Sequence, residues 1–292
     1  MNDLIRSLLI MVFALSFSLP AVSAPLAVTV TILPQKYFVE QIGGEHVTVS
    51  VLVGPGQSPE TFEPLPKQMA ALSNATLFYR IGVPFEEVWI DSLKKAHPKL
   101  AFLDAREGVV LREMEPAGGH HHDYDHQHAH GAADPHIWLN PANVQIMVDR
   151  LRDQLTAIDP AHAAAFEENH ARFSAALTAL QQRLKTQLAP FKGQSFMVFH
   201  PSWGYFADAF QLRQMPIETE GKEPGAKTLK RLIGQARQEG IKVIFVQQQF
   251  STGQAGSLAR AIDGRLVTLD PLAESYLENL QAVADAIQGA YQ

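Results

Sequence analysis

Four side chains of this sequence have the types and positions that would suit a divalent metal ion. They are Glu60, His136, His200 and Asp270, and each follows a predicted strand or begins a helical segment. Two imidazoles and two carboxylates form a four-coordinate set with no position left for a reactive water, which is typical of a closed binding site. A single histidine or aspartate at such a place is often only a helix cap or a hydrogen-bonded core residue, so the hypothesis rests on the combination.

A histidine-rich tract is the second metal-related feature. Residues 117–133 read AGGHHHDYDHQHAHGAA and have no apolar periodicity, which indicates a low-complexity, solvated loop. The tract would bind Zn²⁺, Cu²⁺ or Ni²⁺ weakly, although a loop that simply tolerates polar residues would look similar. Its auxiliary ligands would be His120, His121, His122, His126, His128 and His130. We interpret His46, His97, His162 and His170 as structural or exposed, with no carboxylate–histidine pair organised around the last two.

Signatures of catalysis are missing from the sequence. There is no H-E-x-x-H, G-x-S-x-G, Walker P-loop or G-x-G-x-x-G motif. A secreted hydrolase with an open zinc site would also need a general base beside a bound water, and no residue stands at a fixed spacing for that role. We therefore expect a binding protein without catalytic or cofactor-binding residues.

Composition narrows the class of protein further. With 46% hydrophobic and 18% charged residues, the chain can bury a core and is not of the disordered type. A net charge of −6 without a basic stripe argues against nucleic-acid binding. The sequence has no cysteine, which excludes disulfides, thiolate metal ligands and a lipidated N-terminal cysteine. We expect no C-terminal surface anchor either, so a soluble periplasmic protein is favoured over a surface adhesin.

The first 24 residues have the layout of a secretory signal. Arg6 is followed by the apolar stretch 8–19 and by the small-residue exit AVSA at 21–24. The stretch is too short to span a bilayer comfortably. Removing 24 of 292 residues leaves 268, which at roughly 150 residues per domain suggests two domains.

Alternating strands and helices predict an α/β fold with two lobes and mostly parallel sheets. In the N-terminal half we predict strands at 26–32, 46–53, 76–81 and 100–103 and helices at 35–43, 64–74 and 85–96. In the C-terminal half we predict strands at 195–199, 241–246 and 265–269 and helices at 203–210, 226–239, 253–262 and 272–290. In such sheets ligands bind outside the carboxyl ends of the strands, so two candidate ligands from each lobe would meet in the cleft.

Two helices lie between these halves. Asn140 and Pro141 are good first residues for a helix that runs to about Ile158. From Asp159 to Pro190 the apolar residues then keep helical spacing over the longest periodic segment of the chain, about 45 Å. We read it as a rigid rod between the lobes. The predicted organisation is a signal peptide at 1–24, an N-terminal lobe at 25–158 with the loop 117–133, a connecting helix at 159–190 and a C-terminal lobe at 191–292.

Several motifs together resemble a known family. The segments DPHIWLNP (134–141), HPSWGYF (200–206), GKEPGAKTL (221–229) and FVQQQFS (245–251) are similar to metal-binding solute-binding proteins of bacterial ABC importers, most of all the periplasmic zinc-uptake type (ZnuA-like, cluster A-I). The resemblance covers essentially the whole chain after the signal. It implies two lobes, a rigid connecting helix, a metal in the cleft and delivery of that metal to an inner-membrane permease with its cytoplasmic ATPase.

The resemblance also implies the ligand set, with two departures. His136 and His200 match the family's second and third ligands, and Asp270 matches a carboxylate often used as the fourth. Glu60 stands in GQSPETFEP where the family has histidine, and Gln247 stands where it usually has glutamate. A carboxylate is harder than imidazole and would increase tolerance of Mn²⁺ or Fe²⁺, whereas the intrinsic metal series and the histidine tract favour Zn²⁺. If Glu60 does not bind, three ligands and water would hold the metal. We expect a periplasmic zinc-binding monomer, with manganese or iron(II) uptake as the alternative.

Overall fold

The computed structural model describes residues 24–115, 133–218, 224–250 and 253–292. Nearly all of the predicted signal segment and all six histidines of the tract lie outside these ranges. Within the described residues, no helix combines the length and the apolar character that a membrane crossing requires.

The N-terminal lobe is a four-stranded parallel sheet in the order β2-β1-β3-β4. Its strands are β1 (Leu26–Val30), β2 (Val47–Val51), β3 (Leu77–Arg80) and β4 (Ala101–Asp104). Its helices are α1 (Leu33–Gly43), α2 (Pro66–Ala71) and α3 (Pro84–Ala96). The short helix α2 ends in a 3₁₀ turn, so the predicted helix at 64–74 contains two elements. Parallel pairing follows from the helical crossovers between successive strands.

The C-terminal lobe repeats this arrangement in the order β6-β5-β7-β8, again with all pairs parallel. Its strands are β5 (Ser195–Val198), β6 (Arg213–Pro216), β7 (Val243–Val246) and β8 (Arg265–Thr268). Two helices, α4 (Pro141–Ile158) and α5 (Ala163–Leu188), come between the two sheets in sequence. The helices that follow β5 are α6 (Gly204–Ala209), α7 (Ala226–Gln238), α8 (Gly253–Ala261) and α9 (Tyr276–Tyr291). The predicted fold class, two α/β lobes with parallel sheets, is confirmed.

Strand β6 was not predicted from the sequence. Its four residues read RQMP, with one large apolar side chain and a proline at the end. Proline cannot donate to the hydrogen-bond ladder and is tolerated mainly on an edge strand. Here β6 is the edge of its sheet, and Pro216 is the last residue paired with β5.

Helices α4 (Pro141–Ile158) and α5 (Ala163–Leu188) form an antiparallel pair. The predicted start of α4 is confirmed, because the Asn140 side chain accepts a hydrogen bond from the Ala142 amide at 2.9 Å. Helix α5 is shorter than the predicted 159–190, since Pro160–His162 and Ala189–Phe191 form 3₁₀ turns instead. Its predicted apolar face is fully or almost fully buried: Phe166, Phe173, Leu177, Leu180, Leu184 and Leu188.

The buried face of α5 joins the two lobes. It packs on α1 of the N-terminal lobe and on α9 of the C-terminal lobe. The rings of Phe38 in α1 and Tyr276 in α9 also meet edge to face at 4.9 Å. Each fully buried apolar side chain of this kind contributes about 1.5–3 kcal/mol. One hydrophobic core therefore runs through both lobes, which fixes the cleft between the strand ends.

Candidate metal centre

Three of the four predicted ligands meet in the cleft. Glu60, His136 and His200 offer ligand atoms that all lie within 4.8 Å of one another, and they form the one such group of three found among the described residues. Glu60 Oε1 is 2.7 Å from His200 Nε2 and 3.7 Å from His136 Nε2. Both histidines are buried and Glu60 is partly buried. The three side chains thus present two Nε2 atoms and one carboxylate to a common point, which we call the three-residue group.

The elements of both sheets position the group as expected for parallel strands. His200 follows β5 after one further residue, and Glu60 lies in the loop between β2 and α2. His136 comes after β4 and directly before the 3₁₀ turn Ile137–Leu139. Because the carboxyl ends of the strands in both lobes face the cleft, residues far apart in sequence become neighbours there.

Two buried carboxylates, neither of them predicted from the sequence, orient the imidazoles. Asp134 Oδ1 lies 2.7 Å from His136 Nδ1 and also accepts the His136 amide at 3.0 Å. Glu218, two residues after β6, bonds His200 Nδ1. A carboxylate on one ring nitrogen fixes the tautomer and orientation of a ligating histidine and increases its basicity. Both rings are therefore held with Nε2 towards the cleft.

The charges of the site act strongly on its ionisable groups. Burial alone would lower the pKa of His200, but its contacts with Glu218 and Glu60 outweigh burial and raise that pKa to about 9. Burial alone would raise the pKa of Glu60, but the hydrogen bond to His200 and the two imidazoles lower it. At neutral pH the metal-free site therefore holds an imidazolium between two carboxylates, and a metal ion would take the place of its Nε2 proton.

We expect the metal-free protein to lose stability as the pH rises from 6.5 to about 9. Since the folded-state pKa of His200 lies above its ordinary 6.5, its ion pairs stabilise fully below pH 6.5 and are lost as the pH passes through about 9. The free energy of unfolding should fall by about 1–3 kcal/mol over this range. Urea unfolding in the presence of a chelator measures it. A His200→Gln variant should lack this fall, and an equal fall in both proteins would contradict the assignment.

The walls of the site are mostly apolar and leave little room. The cavity beside the three-residue group has a volume of about 20 Å³, sufficient for about one water molecule or ion. The His200 ring stacks on Phe250 at 4.8 Å, and the His136 ring lies 5.2 Å from that of Trp138. Pro59, Pro271 and Leu272 also line the cavity. Apolar walls of this kind lower the local dielectric constant, which strengthens charge interactions inside the cavity.

Comparisons with known proteins identify the family of this chain. A family model described as zinc-uptake complex component A, periplasmic, matches residues 28–290. The high-affinity zinc uptake system protein ZnuA of Bacillus subtilis is 30% identical over 251 residues, which are 85% of this chain and 78% of that protein. The chain belongs to the ZnuA family. The family resemblance found in the sequence is thereby confirmed.

Solved structures of the ZnuA family extend the comparison to the fold. A crystal structure of ZnuA has a TM-score of 0.84 at 40% identity and covers 92% of this chain and 100% of its own. A zinc-bound ZnuA deletion mutant has a TM-score of 0.83 at 40% identity and covers 91% of this chain and 98% of its own. Two lobes joined by a long helix are thus common to this chain and these relatives.

Asp270, the fourth predicted ligand, does not join the three-residue group. Its Oδ1 accepts the Leu272 amide at 2.9 Å, and its carbonyl accepts from Asn279 Nδ2 at 2.7 Å. It lines a neighbouring cavity of about 110 Å³, whereas Pro271 and Leu272 from the same turn line the site itself. Direct coordination would require its carboxylate to move towards the three-residue group. The ligand role of Asp270 stays a prediction.

Two glutamines after β7 take part in the site. Gln247, where the ZnuA family usually has glutamate, donates from Nε2 to the His200 carbonyl at 3.1 Å and to Ser202 Oγ at 2.8 Å. It fixes the backbone that carries His200. Gln249 lines the site, and its Oε1 is buried without a hydrogen-bond partner in the described structure. Gln249 could not be predicted from the sequence, because glutamine is not a residue type that indicates a metal site.

The histidines on the connecting helices are more organised than predicted. His162 Nδ1 lies 2.6 Å from Asp159 Oδ2, and His170 Nε2 lies 2.6 Å from Asp149 Oδ1. The expectation that neither has a carboxylate partner was wrong, because both partners lie on neighbouring turns or helices. His162 also stacks on His46 at 3.9 Å. Among the described residues these pairs do not form a group of three metal ligands, and the structural role of both histidines stays a prediction.

Proposed function

We propose that this protein is the periplasmic zinc-binding component of an ABC importer, which captures Zn²⁺ and delivers it to an inner-membrane permease with its cytoplasmic ATPase. The observation that carries the proposal is the three-residue group, Glu60, His136 and His200, in a chain that belongs to the ZnuA family. Two imidazoles with oriented Nε2 atoms and one carboxylate form a zinc-type donor set. The cavity has room for about one ion.

For coordination we propose Glu60, His136 and His200 as direct ligands, with Asp270 as the fourth. In the metal-free arrangement its carboxylate is bonded to the Leu272 amide, so Asp270 would approach by a local change in the turn at 270–272. If it does not, a water molecule completes the tetrahedron. The alternative, manganese or iron(II) uptake, rests on the carboxylate of Glu60. It is not favoured, because the similar proteins are zinc-uptake and zinc-binding proteins.

We propose a binding role without catalysis. Both Nδ1 atoms of the site histidines are occupied by carboxylates, and the cavity has room for about one ion but not for a substrate beside it. Delivery also requires release, and the continuous core beneath the cleft favours release by local loop movement over a wide opening of the lobes.

We further propose the surroundings in which the chain works. Residues 1–24 would be removed on export, the protein would be a periplasmic monomer, and the tract from His120 to His130 would act as an auxiliary zinc collector. The support is compositional: the signal layout and the six histidines are properties of the sequence.

The deciding experiment is metal titration of the mature protein with and without residues 119–131. Stoichiometry would come from native mass spectrometry, and affinity from competition with chelators, for Zn²⁺ and Mn²⁺ separately. We expect one tight Zn²⁺ per chain in both forms, unmoved by excess Mn²⁺. Comparable or tighter Mn²⁺ binding would assign the protein to manganese uptake. Loss of all tight binding on deletion would place the metal on the tract and refute the cleft site.

A further inference from the structure

The described residues on either side of the histidine-rich segment lie directly beside the metal site. Glu113 and Ala133 form an isolated antiparallel bridge, and the Asp134 amide donates to the Arg112 carbonyl at 2.9 Å. His136 follows only two residues after Asp134. We call residues 112–115 and 133–134 the stem of this segment. One residue, Pro135, separates the stem from the proposed ligand His136.

Arg112 is the central cation of the stem. Its guanidinium lies 3.2 Å from Asp134 Oδ2, 2.5 Å from Glu115 Oε1 and 3.1 Å from Asp208 Oδ2. Its backbone amide donates to the Tyr205 hydroxyl at 3.0 Å, which in turn donates to the Asp134 carbonyl at 3.0 Å. The side chain thus bridges the stem and helix α6 of the C-terminal lobe.

The two carboxylate oxygens of Asp134 bond different partners, His136 and Arg112. Oδ1 holds His136 Nδ1, and Oδ2 holds the guanidinium. Asp134 is fully buried. Without the guanidinium, Oδ2 loses the charge-assisted hydrogen bond that fixes the carboxylate, and a carboxylate that turns away is a poorer acceptor for His136 Nδ1.

We propose that Arg112 is a positioning residue for the metal site: through Asp134 it fixes the ring of His136, and it thereby makes metal affinity depend on the geometry of the stem. This inference rests on the proposed function. Among its contacts, the one with Asp134 leads directly to a proposed ligand, because Asp134 also bonds His136 Nδ1. Mutation of a residue that holds a ligating histidine from behind typically weakens metal affinity by about 10- to 100-fold.

Gly204 provides an independent way to test this. A Cβ atom at Gly204 would lie 1.2 Å from Arg112 Nη1, so the guanidinium occupies the space that any side chain there would need. Gly204→Ala therefore displaces Arg112 without removing its charge. Gly204 has an ordinary backbone conformation in α6, so the added methyl itself fits a helix.

The test uses the full mature chain and measures the tight site by chelator competition, with Co²⁺ as a spectroscopic probe. Arg112→Gln should weaken tight Zn²⁺ binding by about 10- to 100-fold and alter the visible Co²⁺ spectrum. Arg112→Lys should restore part of the affinity, and Gly204→Ala should weaken binding in the same direction. Arg106→Gln is the matched control, because Arg106 pairs with Asp104 and Glu87 away from the three-residue group.

A double-mutant comparison decides whether Arg112 acts through Asp134. Asp134→Asn alone should weaken binding to a similar extent, and adding Arg112→Gln to it should cost little more. The inference would be overturned if the losses of affinity in the two single variants multiplied in the double variant. An Arg112→Gln affinity within about twofold of the parent would also overturn it. If Arg112→Gln does not fold, Gly204→Ala gives the answer in its place. Lack of any tight Zn²⁺ site in the parent would instead refute the proposed function itself.

Discussion

Replacing His200 by alanine is expected to weaken tight zinc binding by about 100- to 1,000-fold while the chain still folds. A four-ligand zinc site has about 10–16 kcal/mol of binding free energy, or roughly 3 kcal/mol per ligand. His200 supplies a buried Nε2 atom 2.7 Å from Glu60 Oε1, and no other described His, Cys, Asp or Glu side chain joins the three-residue group. The variant also leaves Glu218 buried without its partner, so a lower melting temperature should accompany the loss.

This measurement needs a background in which the histidine tract does not compete. His200→Ala and His136→Ala should each be made in the chain lacking residues 119–131, and binding followed by chelator competition. His97→Ala is the matched control, since His97 lies at the end of α3, with its Nδ1 3.4 Å from Ser73 Oγ, and is not one of the three-residue group. A double His136→Ala/His200→Ala variant that kept nanomolar zinc affinity would refute the cleft site.

Replacing Glu60 by histidine is expected to raise the preference for Zn²⁺ over Mn²⁺ by about tenfold or more. The substitution exchanges a hard carboxylate oxygen for an imidazole nitrogen at the point where two Nε2 atoms already converge. Zinc accepts a third imidazole readily, whereas manganese prefers oxygen. The variant also restores the residue type that the family motif has at this position.

Two further variants make the Glu60 result interpretable. Glu63→His lies three residues along the same loop but is exposed, so it should leave both affinities unchanged. Glu60→Ala should weaken zinc binding and relieve His200 of one carboxylate partner. Unchanged zinc affinity in Glu60→Ala together with unchanged selectivity in Glu60→His would mean that Glu60 is not a ligand and that water occupies its place.

The elements with strong local signals could be predicted from the sequence, and those without could not. The cap at Asn140 and the apolar stripe of α5 are local patterns, and both were confirmed. Strand β6 carries no such pattern, because its place in the sheet depends on pairing with β5 rather than on its own residues. Its absence from the prediction also hid Glu218, which follows it.

The site shows the same division. Glu60 and His200 could be chosen because each has a metal-binding side chain beyond the end of a predicted strand, and His136 because it directly precedes a predicted helix. Asp134 stands two residues before His136, so the motif DPH contained a signal for it. The partnership of Arg112 with Asp134 spans 22 residues and the histidine tract, and only the fold brings the two together. The domain boundaries and the ligand role of Asp270 stay predictions.

Trp138 has a consequence for how metal loading can be followed. Its indole is fully buried beside His136, its Nε1 donates to the Pro271 carbonyl at 2.8 Å, and its own carbonyl accepts from the Tyr276 hydroxyl at 2.8 Å. It therefore joins the loop that carries one ligand to the turn that carries Asp270. Of the other two tryptophans, Trp89 is exposed at the surface and Trp203 is buried against Phe206. The chain thus has an intrinsic fluorophore beside the proposed metal site, and we expect its emission to change when the metal binds, with no attached dye.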